Sequence, residues 1–165
     1  MQPEVISRRM KDVATHSLAD LLECPPATRS LLNGSAQSID FNAGEVVFRQ
    51  SGICLGLYVI VSGRFLRKAE RLQKRLTLGP VSAGELVELA AVLGASQHTY
   101  TLSAQTSGSA LLLPIETLNQ AFQSYPHLRM HLLEELAREV SRAYYACCLS
   151  RVISTRHQHS GVASA

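Results

Sequence analysis

The 165 residues contain no uninterrupted apolar run near the roughly 18 that a bilayer-spanning helix requires, so no transmembrane helix is expected. The opening MQPEVISRRMKD lacks the apolar centre of a secretory signal, which makes the cytoplasm the expected location. Cysteine is scarce. Cys24, Cys54, Cys147 and Cys148 form no CxxC pair, which argues against a zinc ribbon, and a chain of this size needs no disulfide scaffold. Adjacent Cys147 and Cys148 would point in different directions from a helix. Two readings stay open for them: plain thiols, or a redox or cross-subunit role. The net charge of +3 is too small to argue for nucleic acid by itself. No GxSxG, P-loop or paired-carboxylate pattern is present, so no enzymatic chemistry is expected and no catalytic residue is assigned.

What is present is ordinary for a globular protein, with 46% hydrophobic and 18% charged residues. Ile6, Met10, Val13, Ala14, Leu18 and Leu21 recur at three- and four-residue steps, which predicts an amphipathic helix stopped by Pro25 and Pro26. A short second helix is predicted over 28–32, ended by Asn33-Gly34. From Ile39 to about Leu113 the chain turns to short β-rich runs (VVF, LYVIV, RLTL, TYTLSA, ALLL) punctuated by Ala43-Gly44, Ser51-Gly52 and Ser62-Gly63. Many short strands with frequent turns indicate a barrel or sandwich. Inside LYVIV both faces are apolar, as for a strand covered on both sides. Ser82-Ala-Gly-Glu85 ahead of an apolar run predicts a short capped helix interrupting the strands. Another helix is predicted over 115–122, and a long one from Pro126. Within the long helix Leu133, Leu136, Val140, Ala143 and Cys147 alternate by three and four. That seam either packs on the chain's own strands or zips to a second copy in a parallel coiled coil. Its length favours the second, because a long helix gains little unless its stripe is buried. The expected division is an N-terminal helical segment (1–36), a β domain (37–125), a long helix (126–153) and a disordered tail (154–165).

The run FNAGEVVFRQSG…LYVIVSGRF, with Phe41, Gly44, Glu45, Phe48, Gly52, Leu57, Tyr58, Ile60 and Gly63, resembles the effector barrel of the Crp/Fnr and cyclic-nucleotide-binding superfamily. The resemblance spans about 31–148. It implies a mainly β fold, a double-stranded β-helix (jelly-roll) barrel with N-terminal helices and a long C-terminal dimerisation helix. Those positions are similar to the family's structural glycines and core residues, so they speak for fold and not for ligand. Gly84, Glu85 and Leu86 are similar to the start of the family's phosphate-binding cassette. This implies Glu85 on a ribose hydroxyl and helix amides on the phosphate. Where ligand-binding members carry arginine and then a small residue, this chain has His98 and then Thr99, with no arginine between Arg75 and Arg129. The family's hydroxyl contact from the long helix falls near Ala143 and Tyr144, and only Tyr144 can donate. Gly84, Glu85, Leu86, His98, Thr99 and Tyr144 are therefore the candidate pocket for a small anionic effector.

An imidazole mostly neutral at pH 7 is a weak substitute for guanidinium, and a buried phosphate left without its partner loses roughly 3–5 kcal/mol. Tight cyclic-nucleotide binding is not expected, and no cofactor is assigned. Plainer readings stand beside these: Ser82 and Glu85 as a capping box, His98 as an ordinary half-buried histidine. His98 is the single histidine within 41–113, so no metal-dependent barrel chemistry is expected and no metal ligand is assigned. The segment RFLRKAERLQKR (64–75) carries six basic residues and one acid and reads as a solvated hairpin or an inter-subunit salt-bridge surface. Only 15 residues follow Ser150, against the roughly 70 a helix-turn-helix module takes, so sequence-specific DNA binding by this chain is not expected. The expected function is that of a homodimeric, bacterial-type sensor or regulatory domain in signal transduction. The alternatives are a dimerising interaction module with no small-molecule ligand, or a truncated transcription factor. Effector, partner and pathway are not written in these residues.

Overall fold

A computed structural model describes residues 24–159, with side chains as far as Cys148. The helix expected over Ile6 to Leu21, and the chain beyond His159, lie outside the described residues. Helix α1 (Pro26–Ser35) opens with Pro26 in its first turn, where a missing N–H costs nothing, and buries Thr28 and Leu32. It runs straight through Asn33-Gly34, which corrects the expected stop. The chain leaves the helix only at Ala36, whose N–H closes on the Leu32 carbonyl.

Eight strands follow: β1 (Gln37–Phe41), β2 (Val46–Phe48), β3 (Gly56–Ser62), β4 (Phe65–Arg71), β5 (Lys74–Val81), β6 (Leu86–Val87), β7 (Thr101–Ala104) and β8 (Gly108–Pro114). They form two four-stranded antiparallel sheets, β1-β8-β3-β6 and β2-β7-β4-β5. Alternation along β3 sorts its side chains between two cores. Tyr58 and Ile60 enter the layer between the sheets with Phe48, Phe65, Val87, Leu102 and Leu112. Leu57 and Val59 face the other way, onto Leu32, Leu118, Leu128 and Leu132 of the helices. The doubly apolar LYVIV run is thus a strand covered on both faces, as its pattern requires.

Helices α2 (Ile115–Ser124) and α3 (Pro126–His159) close the outer face of the first sheet. α3 extends past the expected end at Ile153, since residues 154–159 hold no proline or glycine to stop a helix. The capped helix expected directly after Glu85 is also corrected. Leu86 and Val87 pair with Val59 and Tyr58 as β6, and Ile60 exchanges backbone hydrogen bonds with Gly84 and Glu85. Helical structure starts only at Leu89 and includes one π-type turn over Ala91–Ala95.

The bend between β3 and β4 crosses the start of β8 at close range. A Cβ on Gly63 would sit 2.8 Å from the Ser107 carbonyl oxygen and from Gly108 Cα, at a φ of +86°. Gly34, on exposed α1 surface, has open space instead. Gly63→Ala should therefore cost more than about 2 kcal/mol of stability. Gly34→Ala should gain roughly 0.5–1 kcal/mol, both read from urea midpoints at constant m-value.

Candidate functional site

A cavity of about 900 Å³ lies where the two sheets' loops meet α3. Gly84, Glu85, Leu86, Leu89 and Ala90 form one wall, Thr99 and Tyr100 the next, and Arg67 and Leu78 of the β4–β5 hairpin a third. α3 closes it from His131 to Ala143. Of the six residues expected here, Gly84, Glu85, Leu86 and Thr99 line this space together. Two do not. Tyr144 is 67% exposed and absent from the lining, because the helix turns Ala143 inward in its place.

His98 is the larger correction. It is 4% exposed and faces the core behind the cavity wall, stacked on Phe48 at 3.9 Å between ring centroids and 8° between planes. Its backbone explains the placement. The His98 N–H donates to Gly52 and its carbonyl accepts from Ser51, so the strand-like entry to β7 is fixed with the ring pointing inward. There its Nδ1 lies 3.3 Å from an oxygen of Glu88, whose side chain is wholly buried. Glu88 was missed by the sequence reading. The available signal was an acid inside the apolar run 86–93, a charge that must find a partner if the run is buried.

Glu85 is exposed, and its carboxylate accepts the Ser82 N–H. The same device recurs at Asn42-Ala-Gly-Glu45, where the Glu45 carboxylate accepts the Asn42 N–H. Both turns place glycine at positive φ, +89° at Gly44 and +87° at Gly84. Glu85 thus does in its turn what Glu45 does in a turn outside the cavity lining. The reciprocal reach expected of a capping box is there, but it closes a β-turn and not a helix.

Three guanidinium groups line the cavity, and each meets a carboxylate that also lines it. Arg67 bonds Glu139 at 2.7 Å and lies 5.8 Å from the centre of the Tyr100 ring. Arg138 and Arg142 share Glu135 at 2.8 and 2.9 Å, and Arg138 also approaches Glu134 at 3.7 Å. With Glu85 and Glu88 added, carboxylates outnumber guanidinium groups around the space.

The family described as cyclic nucleotide-binding domain matches residues 38–125, more than half of the chain. The chain belongs to that family. No curated protein gives a match. Among solved structures it is similar to the Thermus thermophilus Catabolite Activator Protein, with a TM-score of 0.68 and 21% identity over 82% of this chain and 63% of that one. It is similar to the regulatory domain of Toxoplasma gondii PKA with cAMP at TM-score 0.67 and 17% identity, over 80% of this chain and 50% of that one. For the sensor domain of the transcriptional regulator DNR from Pseudomonas aeruginosa the values are 0.66 and 17%, over 86% and 93%. The chain spans less than two thirds of the first two, and at these identities the likeness is one of fold.

In this cyclic nucleotide-binding domain the electrostatics centre on Glu88. Burial pushes its carboxyl up from 4.5 to about 7; the Thr99 amide and hydroxyl pull it partly back, and Glu139 pushes it further. Neither Glu88 oxygen, nor His98 Nδ1, has a hydrogen bond of good geometry. Burial also lowers His98 below its usual 6.5. Both groups are therefore driven toward their neutral forms, a protonated carboxyl facing an uncharged imidazole. Unfolded, the carboxyl would ionise near 4.5; folded, it keeps its proton until about 7. Its stabilising contribution is complete below 4.5 and is lost as pH rises through about 7. Glu88→Gln cannot ionise. Relative to wild type it should gain on the order of 2–3 kcal/mol between about pH 5 and pH 8, measured by urea unfolding at each pH. A constant difference across that range would contradict the burial argument.

Proposed function

We propose that this cyclic nucleotide-binding domain acts as a dimeric regulatory module of Crp/Fnr type whose cavity does not grip a cyclic phosphate. The observation that carries the reading is the pairing around the cavity: every lining arginine is closed on a glutamate, and His98 is turned into the core. A phosphate entering the space would have to part Arg67 from Glu139 while facing an excess of carboxylates. Separating a half-buried pair to form another of similar strength yields little net affinity. Gly84, Glu85, Leu86 and Thr99 remain as the wall of an effector space, with Tyr144 and His98 outside it. Sequence-specific DNA contact is no part of this role, and neither is catalysis.

α3 supports the dimeric half of the reading. Leu128 and Leu132 are buried on the chain's own sheet, whereas every residue from Val140 to Cys147 is exposed. Val140, on the heptad seam, borders the cavity and is still 59% exposed. The same observation favours a second reading, an interaction module that works by pairing α3 with another chain and needs no small ligand.

Calorimetric titration with cyclic AMP and cyclic GMP should give no saturable binding at micromolar concentrations. Glu139→Gln, which releases Arg67, should raise cyclic-AMP affinity by on the order of tenfold. A micromolar wild-type Kd would overturn the proposal. For the dimer, sedimentation velocity should find two chains for wild type and one for Val140→Glu, and a monomeric wild type at micromolar concentration would remove that half of the role.

A further inference from the structure

Glu88 and His98 stand at the two ends of the segment 88–98, whose first residues, Leu89 and Ala90, wall the cavity. Glu88 is held at φ +76°, a left-handed backbone that costs a residue with a side chain and would cost glycine nothing. It is kept there by burial of its side chain, by the Val92 N–H on its carbonyl, by the Tyr100 hydroxyl on its backbone, and by the Thr99 amide and hydroxyl on its carboxyl. The far end is fastened by the His98 bonds to Ser51 and Gly52, by the Cys54 N–H on the Ser96 carbonyl, and by a bridge between Ile53 and Gln97. Left-handed backbone therefore occurs at both ends, at Glu88 and at Ser96 (φ +58°), but only the end at 96–98 is pinned by the bonds to Ser51, Gly52 and Cys54.

Among the described residues, an ionised Glu88 has no cation beside it except His98. Cys54 and Tyr58 approach from the loop before β3 and from β3 itself, Tyr100 from the residue just before β7, and Glu139 from α3. Each of these is neutral or negative. Arg67 of β4 reaches Tyr100 and is committed to Glu139.

We infer that Glu88 and His98 form a proton-operated latch: a protonated Glu88 against a neutral His98 holds the 88–98 segment closed on the cavity, and loss of the carboxyl proton to solvent releases the end at residue 88. A lone buried carboxylate beside Glu139 is relieved most directly by rotation at residue 88. That rotation returns the backbone to an ordinary conformation and brings the carboxylate into cavity water. Leu89 and Ala90 move with it, so access to the cavity becomes pH-dependent near neutrality. This device is independent of which molecule, if any, the cavity admits.

Amide hydrogen exchange on the full chain tests it, comparing peptides across 88–98 at about pH 6 and pH 8.5 after correction for intrinsic rates. Wild-type protection in this segment should fall about tenfold or more at the higher pH, while β3 stays unchanged. Glu88→Gln, nearly isosteric and uncharged, should keep its protection at both. Equal wild-type protection at the two values would overturn the latch without reference to any variant. So would the same loss in Glu88→Gln.

Discussion

A carboxylate sealed behind a cavity wall needs a proton or a cation, and for Glu88 the His98 imidazole is the group placed to share one. That requirement sets much of the local arrangement. It turns His98 away from the cavity and seats its ring on Phe48. The backbone at residue 88 is bent into an unfavourable region to make the contact. Burial disfavours the charged form of each group, which is why the carboxyl titration moves up and the imidazole titration moves down.

The rest of the architecture brings this pair to the cavity. β3 and β8 each serve two cores, one between the sheets and one beneath the helices, so strand β6, which pairs with β3, is anchored from both sides. Arg67 extends from β4 to Glu139 of α3 and ties the hairpin to the long helix across the open side. Gln50 fastens the same hairpin from the other direction through both backbone groups of Glu70. The cavity is therefore framed by elements held to one another through paired charges. Such a frame suits coupling of a local change to the orientation of α3, the kind of two-state element a regulatory domain needs.

The β half of the fold was legible because its signals are local. Alternation, apolar runs and the Gly44 and Gly63 turns are set by neighbours in sequence, and the strands lie where those signals put them. The 86–93 run misled for the opposite reason: its apolar residues suit a helix or a buried strand equally, and pairing with β3 decided for strand at Leu86 and Val87. Gly84, Glu85, Leu86 and Thr99 reached the cavity because the turn and the entry to β7 are short and rigid. Tyr144 missed it by one residue of helix phase. The direction of the His98 side chain depends on Glu88, Phe48 and Gly52, contacts distant in sequence that no local pattern announces. The Arg67–Glu139 pair, 72 residues apart, was equally hidden.

The central claim is that the carboxylate and the imidazole answer each other and not a ligand. NMR of the Glu88 side-chain carboxyl carbon and the His98 ring nitrogens, followed from acid to alkaline pH with and without cyclic AMP, measures this directly. The account predicts a carboxyl that titrates near pH 7, an imidazole that resists protonation below its usual range, and no response of either to the nucleotide. A His98 ring that titrates like a solvent-exposed histidine and shifts when cyclic AMP is added would contradict it.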